Sequence, residues 1–213
     1  FHLSTNALYS YNSNSTEEFD TVWNQSGGTS YPVWDSEPPY RNNSQYTGNF
    51  RQQMRERNYS VYIRGGCAIN YGDEALWPFD QGTWPLADIS YADVPDTNEM
   101  IDASYCWAIL ETYVKDANWA PNAAFVVTGI GSGDTKAAAG NSNRAALAYF
   151  PSSRTIAVDT TVIAGTGNVQ LRWFDPSHNT FTNIPTSEAQ SSSRSVTHPG
   201  NNFQGVGDWL LVV

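Results

Sequence analysis

The stretch Tyr31-Pro-Val-Trp-Asp-Ser-Glu-Pro-Pro-Tyr40 decides the fold expected of this chain. Its apolar start, up to Trp34, predicts a short strand. Two prolines end that strand at once, because proline has no backbone N–H to give to a sheet ladder. Glu37 is thereby held just beyond the carboxyl end of a strand, where barrel enzymes keep catalytic carboxylates. The aromatic rings of Trp34 and Tyr40 can stack on sugars. An ordinary solvated loop glutamate is the alternative.

The segments that follow predict a repeated strand and helix pattern. Residues 51–63 read RQQMRERNYSVYI and predict a helix, whereas residues 64–72 read RGGCAINYG and predict a glycine-rich buried strand. An aromatic loop containing Trp77 comes next. A strand, a carboxylate, a helix and a second strand in this order are typical of a βαβ unit, and therefore of parallel strands.

These motifs resemble the apiosidase-like glycoside hydrolases, family 140 and its relatives. In that family a strand ends in an EPPYE-like signature, followed by a helix with an arginine and by a glycine-rich strand and loop that end in tryptophan. The matching residues are Glu37 to Tyr40, Arg55, Gly65-Gly66, Tyr71-Gly72 and Trp77. Two upstream runs also fit, Phe1 to Thr5 and Trp23 to Gly27. Ile69 and Gly28 stand where the family has histidines, so the chain departs from the family pattern at these two positions.

The resemblance implies a fold and an activity. The strands of this part would be the sixth, seventh and eighth of a (β/α)8 barrel, which normally needs eight strands and about 250 residues. Residues 1–118 are therefore expected to be the C-terminal portion of a barrel, completed by an N-terminal fragment or a second chain. Glu37 would be the nucleophile of a retaining glycoside hydrolase, and the missing part would supply the acid/base. The substrate would be a plant or microbial polysaccharide.

The resemblance and the loop positions also give candidate substrate-binding residues. These are His2, Gln25, Trp34, Tyr40, Tyr71 and Trp77. For each of them, packing in the core is an open alternative. Asp35, two residues before Glu37, is either a second carboxylate or a group that tunes the pKa of Glu37.

The chain changes character after residue 118. Short apolar or alternating runs, separated by Gly, Ser, Asn and Pro, predict an antiparallel β-sandwich over residues 119–213. The runs are 124–131, 144–150, 154–163, 168–174 and 208–213. The predicted hairpin 171–181 and the segment 207–213 resemble the C-terminal domain labelled collagen-binding in the same hydrolases. A structural sandwich that caps the barrel is the preferred interpretation. The fold class expected of the whole chain is therefore α/β plus all-β.

Composition narrows the classes of function. The formal net charge is −10 and there is no basic stripe, so nucleic-acid binding is not expected. No run of about 18 apolar residues occurs, so no membrane span is expected. His2, His178 and His198 are too scattered for a metal site, and no helix follows the glycines of 129–133, so neither a metal nor another cofactor is expected. The rival function is a non-catalytic carbohydrate-binding or structural extracellular protein.

Two further patterns favour secretion. Glycosylation sequons occur at Asn14, Asn24, Asn42 and Asn58. Cys67 and Cys106 are the two cysteines, and in an oxidising compartment they are expected to form a disulfide, with two buried free thiols as the alternative. Cys106 lies in a second predicted helix, residues 98–114, whose apolar face is expected to consist of Met100, Ala103, Trp107, Leu110 and Val114.

Overall fold

A computed structural model describes residues 6–8, 19, 21, 33–36, 38, 40–41, 48–73, 97–185 and 187–213. Its first part contains two helices and short parallel strands. The helices are α1 (Phe50–Ile63) and α2 (Asn98–Tyr113). The strands are β1 (Asn6–Leu8), β2 (Val33–Asp35), β3 (Tyr40–Arg41), β4 (Ala68–Ile69) and β5 (Gly72–Asp73).

The pairing of these strands confirms the predicted βαβ progression. β1, β2 and β4 form one parallel sheet in that order, and β3 pairs with β5, also in parallel. Helix α1 connects the parallel strands β2 and β4, so it runs back along the sheet and begins at the end where β2 finishes. The start of α1 and the carboxyl end of β2 therefore lie on the same side.

Both helices begin at side-chain caps. The side chain of Asn49 accepts a hydrogen bond from the Gln52 N–H at 3.2 Å, and Thr97 accepts one from the Met100 N–H at 3.4 Å. The predicted helix 51–63 is confirmed to within one residue. The predicted strand 64–72 is wrong in extent, because Arg64 still bonds to the carbonyl of Ser60 and Gly65 then turns the chain at a φ of 86°. In place of one long strand, this segment forms the two-residue strands β4 and β5.

The second part is antiparallel. Its strands are β6 (Ala120–Pro121), β7 (Val126–Thr128), β8 (Ala138–Asn141), β9 (Ala146–Phe150), β10 (Ile156–Val158), β11 (Asn168–Val169), β12 (Arg172–Asp175), β13 (Thr180–Asn183), β14 (Glu188–Ala189), β15 (Arg194–Val196) and β16 (Trp209–Val212). A six-stranded sheet has the order β13-β12-β16-β9-β8-β6, and a three-stranded sheet has the order β15-β10-β7. The predicted hairpin is formed by β12 and β13.

The six-stranded sheet is covered on both faces. Successive side chains of a strand point to opposite faces, so β9 sends Ala148 and Phe150 toward the small sheet. The same strand sends Leu147 and Tyr149 toward the helices, where they join a second core that includes Tyr59 of α1. The antiparallel part is thus sandwich-like as predicted, and one face of it shares a hydrophobic core with α1 and α2.

The predicted apolar face of α2 is confirmed for Leu110 and Val114, which pack in the core, but not for Trp107. Its buried residues are Asp102, Cys106, Ile109 and Leu110, whereas Trp107 is 55% exposed. The helix is rotated from the expected orientation because Asp102 points inward to arginines of α1. In the part of the chain that the structure describes, no helix has both the length and the apolar character needed to cross a membrane.

The described chain is mostly β, with two helices and antiparallel sheets, and carries a small parallel sheet before them. The barrel expected over residues 1–118 and the boundary at residue 118 stay predictions.

Candidate functional site

The carboxyl end of β2 is held firmly against the segment after β4. The backbone N–H of Asn70 donates to the carbonyl of Asp35 at 3.1 Å, and its side-chain amide donates to the carbonyl of Ser36 at 2.7 Å. Asp35 is completely buried, and Trp34 is half-buried. Glu37 lies outside the described residues, but the two residues before it are fixed by these contacts.

The ring of Tyr40 lies directly on the backbone of Gly72. The two residues are register partners in the β3–β5 pair. A Cβ atom at Gly72 would come within 2.0 Å of the ring, so a glycine is required for this approach. Tyr40 is half-buried, and its position is therefore set by the parallel strand beside it.

A charged cluster ties β3 and β5 to the start of α2. Nη1 of Arg41 lies 2.8 Å from Oδ2 of Asp73, and Nε of Arg41 lies 3.5 Å from Oε2 of Glu99. Burial opposes the charge of Arg41, but the hydrogen bond and charge of Asp73 outweigh it and raise the pKa of the guanidinium. Arg41 therefore keeps its positive charge at any physiological pH.

Tyr71 lies beside that cluster. Its hydroxyl is 3.4 Å from the hydroxyl of Thr97, which also caps α2. Burial raises the pKa of Tyr71 to about 12, although the Thr97 contact lowers it. The phenol is therefore neutral at pH 7 and can act as a hydrogen-bond donor.

The structure thus describes three of the predicted site residues, Trp34, Tyr40 and Tyr71, on the small parallel strands or beside them. The other predicted site residues and three of the sequons lie outside the described residues, namely His2, Gln25, Glu37, Trp77, Asn14, Asn24 and Asn42. Roles in substrate binding or catalysis stay predictions for all of them.

Asn58 and the two cysteines differ from what the sequence indicates. Asn58 is 7% exposed, and its amide nitrogen, the atom that carries a glycan, donates to the carbonyl of Met54 at 2.8 Å. A glycan there does not fit the folded helix. The predicted disulfide is wrong: Cys67 and Cys106 are both free. Cys67 follows α1 in the chain and is exposed. Cys106 is buried in the core between the helices and the sheet, beside Tyr59.

A buried ionic network joins the helices to the antiparallel part. Arg55 donates to Asp208 through Nε at 2.8 Å and through Nη2 at 2.9 Å, and its Nη1 donates to Asp102 at 2.7 Å. Arg51 makes two further bonds of 2.7 Å to Asp102. The hydroxyl of Tyr149 donates to Asp208 at 2.8 Å. Sequence patterns do not reveal this network, because Arg55 and Asp208 are 153 residues apart.

Each charge in this network has a partner of opposite sign. Burial alone would lower the pKa of Arg55, but the hydrogen bond and charge of Asp208 raise it above its usual value. Bidentate pairing of this kind orients both groups and fixes α1 on the sheet. We assign the network a positioning role, since it holds the start of α1 in place.

Two loops of the antiparallel part reach the start of α1. Residues 176–179 connect β12 to β13, and residues 199–208 precede β16. Nη2 of Arg51 donates to the carbonyl of Ser177 at 3.1 Å, and the amide of Gln204 donates to Oδ1 of Asn49 at 3.2 Å. These loops therefore lie at the same end of the molecule as the carboxyl end of β2.

A polar cleft of about 720 Å³ opens between β13 and β15. Both are edge strands of their sheets. Arg194 forms one wall and pairs with the exposed carboxylate of Glu188 at 3.1 Å. Hydroxyl and amide groups form much of the rest of the lining, from Thr182, Asn183, Ser191, Ser193, Ser195 and Thr197. Groups of this kind can bind the hydroxyls of a polar ligand.

Within the described ranges, no group of three or more His, Cys, Asp or Glu side chains is placed to hold a metal ion. The chemistry that these residues offer is that of buried carboxylates, neutral phenols and aromatic faces.

Comparisons with known proteins agree with this architecture. Residues 120–213 match the family described as "Putative collagen-binding domain of a collagenase". Among curated protein sequences, none matches this chain. The fold is similar to that of a glycoside hydrolase of family 5 from Bacteroides vulgatus ATCC 8482, with a TM-score of 0.76 and 18% identity over 93% of this chain and 45% of that one. A second solved structure, titled glycoside hydrolase, gives a TM-score of 0.78 and 17% identity over 93% of this chain and 46% of that one. The chain thus shares its fold with part of these proteins and spans less than half of their length.

Proposed function

We propose that this chain is the C-terminal part of a secreted glycoside hydrolase that acts on a plant or microbial polysaccharide. The observation that carries the proposal is the parallel β2–α1–β4 unit, whose strand β2 leads directly into Glu37. In barrel enzymes catalytic carboxylates follow the carboxyl ends of such strands. The shared fold with glycoside hydrolases over 93% of the chain supports the same assignment.

In the proposed reaction Glu37 is the nucleophile. Its carboxylate attacks the anomeric carbon of the sugar, and the bond from that carbon to the glycosidic oxygen breaks. The leaving oxygen takes a proton from a second carboxyl group, which the N-terminal part of the enzyme would supply. Water then attacks the glycosyl ester, gives its proton to the second carboxylate, and releases the sugar with its configuration retained.

Residues around Glu37 support that role. Asp35 is buried two residues before Glu37, and the backbone at this end of β2 is fixed by hydrogen bonds from Asn70 to the carbonyls of Asp35 and Ser36. The half-buried rings of Trp34 and Tyr40 offer apolar faces for sugar contacts. Tyr71 is a neutral donor for a sugar hydroxyl. Completion by an N-terminal fragment or second chain is part of the proposal, as is glycosylation at Asn14, Asn24 and Asn42.

Substitution of Glu37 tests the assignment in the full polypeptide that carries this sequence. Glu37→Gln keeps the shape but removes the charge, and we expect hydrolysis of polysaccharides to fall by at least about 10³-fold. Glu111→Gln is the matched control, since Glu111 is exposed and pairs with exposed Lys115 on the outer side of α2. Activity of Glu37→Gln equal to that of the control would exclude Glu37 as the nucleophile.

A second candidate function is carbohydrate binding without catalysis. The polar cleft between β13 and β15 favours it, because its hydroxyl and amide lining matches a sugar surface. In that case polysaccharide would bind to the protein, Arg194→Ala would weaken binding, and no product would form with either Glu37 or Gln at position 37.

A further inference from the structure

An exposed pair of stacked rings stands on the two loops that reach the start of α1. The rings of His178 and Phe203 are 4.0 Å apart and only 14° from parallel. Phe203 is 70% exposed, the highest value for a large apolar side chain in the described part of the chain. Leaving this much apolar surface in water forgoes the stabilisation of burial. A ring this exposed does not contribute to the core, which is consistent with a role in binding.

The first loop is held by a buried carboxylate. Asp175 is 4% exposed, and its Oδ1 accepts hydrogen bonds from the backbone N–H and the hydroxyl of Ser177, at 2.8 and 2.7 Å. Its other oxygen accepts from the backbone N–H of Phe203 at 2.8 Å. One carboxylate thus fixes both loops, and with them the backbone that carries both rings.

The second loop is held by a buried amide. Nδ2 of Asn202 donates to Oδ1 of Asp208 at 2.8 Å, which connects the loop to the ionic network of Arg55. Oδ1 of Asn202 accepts from the backbone N–H of Gln204 at 3.0 Å. Phe203 is flanked by these anchored residues. A rigidly supported and exposed ring is typical of a binding site rather than of a mobile loop tip.

The rings also lie at a functionally relevant end of the molecule. Gln204 contacts Asn49, the cap of α1, and Arg51 contacts the carbonyl of Ser177. Helix α1 begins where β2 ends, and it is 14 residues long. A helix of this length spans about 21 Å, so its two ends are well separated. The platform therefore lies at the end of the molecule where β2 finishes, at Asp35.

We propose that His178 and Phe203 form a stacking platform for a pyranose ring of the polysaccharide, so that the antiparallel part contributes a subsite to the enzyme. This inference rests on the proposed function. A flat aromatic face matches the C–H face of a sugar ring and needs no charge on the ligand. The chain as a whole carries a net charge of −10, which disfavours an acidic polymer as the ligand.

Binding measurements on the full polypeptide test the platform apart from catalysis. The probes are four hexasaccharides of pyranose units, cellohexaose, xylohexaose, mannohexaose and galactohexaose, each titrated by calorimetry against the Glu37→Gln protein. We expect one or more of them to bind, and Phe203→Ala to weaken that binding roughly three- to tenfold, the range of an aromatic contact. The ring protons of His178, one of three histidines in the chain, should shift on binding.

Matched variants separate stacking from other causes. Phe203→Trp keeps a flat face and should retain binding, whereas Phe203→Leu keeps apolar character without that face and should bind like Phe203→Ala. Trp107→Ala removes another exposed ring, on α2, and should change nothing. Equal binding by the Glu37→Gln protein with Phe203 and with Phe203→Ala, or no binding of any of the four hexasaccharides, would overturn the platform.

Failure of the platform and failure of the proposed function can be told apart. If Glu37→Gln abolishes hydrolysis and Phe203→Ala leaves hexasaccharide binding unchanged, the hydrolase assignment stands and the platform is overturned. If Phe203→Ala weakens binding and Glu37→Gln keeps full activity, the platform stands and the nucleophile assignment is overturned.

Discussion

Arg55 of α1 and Asp208 before β16 face each other through two hydrogen bonds, of 2.8 and 2.9 Å, and both side chains are fully buried. This pair joins a helix of the first part of the chain to the last strand of the second. The third donor of Arg55 reaches Asp102 of α2, so one guanidinium holds three elements together. The β-rich part is therefore built into the same core as the helices.

Substitution of Arg55 should strongly destabilise the folded protein. Arg55→Met leaves buried Asp208 without its arginine partner and removes one of the three arginine hydrogen bonds of Asp102. Breaking a buried pair typically costs about 3–5 kcal/mol. We expect the free energy of unfolding, measured in urea, to fall by that amount. Lys115→Ala breaks an exposed pair on α2 and should cost less than about 1 kcal/mol. Equal effects of the two substitutions would show that the network does not stabilise the fold.

Glu56 predicts a dependence of stability on pH. Burial raises its pKa from 4.5 to about 7, assisted by Asp134 and Asp208 and opposed by Arg57. Because the folded protein then holds a proton that the unfolded chain releases above about pH 4.5, the wild-type protein loses stability as pH rises from about 4.5 to 7. Glu56→Gln should lack this loss, be the more stable protein at pH 8, and match the wild type near pH 4. Urea titrations at both pH values measure the difference. The same change in the free energy of unfolding between pH 4 and pH 8 in both proteins would contradict the raised pKa of Glu56.

The two thiols should react very differently. Cys67 is exposed and should be modified quickly by a disulfide reagent in the native protein. Cys106 is buried, and burial raises its pKa well above the usual value, so its thiolate is scarce. We expect one thiol per chain to react natively and two after unfolding. Cys67→Ser should remove the native reaction, and a count of zero in the native wild-type protein would mean that the two residues are bridged after all.

Local patterns were enough to predict some elements and not others. Helix α1 is a run of good helix formers, and the hairpin of β12 and β13 has a clear turn at residues 175–179, so the sequence predicts both. Strand β8 reads Ala-Ala-Gly-Asn and carries no strand signal. It forms because Gly140 lets the backbone approach the carbonyl of Ile63 and the ring of Trp119, and both contacts depend on the tertiary fold.

The site was predictable to a similar extent. The end of β2 was identified from its prolines and aromatic residues, since those signals are local. The burial of Asp102 was not, because its partners, Arg51 and Arg55, lie 51 and 47 residues away in sequence. The stacking of His178 on Phe203 likewise depends on two loops that only the fold brings together.

Gly72 offers a direct test of the position of Tyr40. Alanine there would place a Cβ atom 2.0 Å from the Tyr40 ring, so the ring must move. We expect Gly72→Ala to lower the free energy of unfolding by about 1–3 kcal/mol, the cost of overpacking.

In the full polypeptide, Gly72→Ala should also weaken substrate binding, because Tyr40 is a proposed sugar contact. Gly167→Ala is the control, since a Cβ atom there meets nothing within 4 Å. It should change stability by no more than about 1 kcal/mol. Unfolding in urea and the KM for polysaccharide measure the two effects. A destabilised Gly72→Ala protein with an unchanged KM would remove Tyr40 from the substrate-binding residues while leaving its packing role intact.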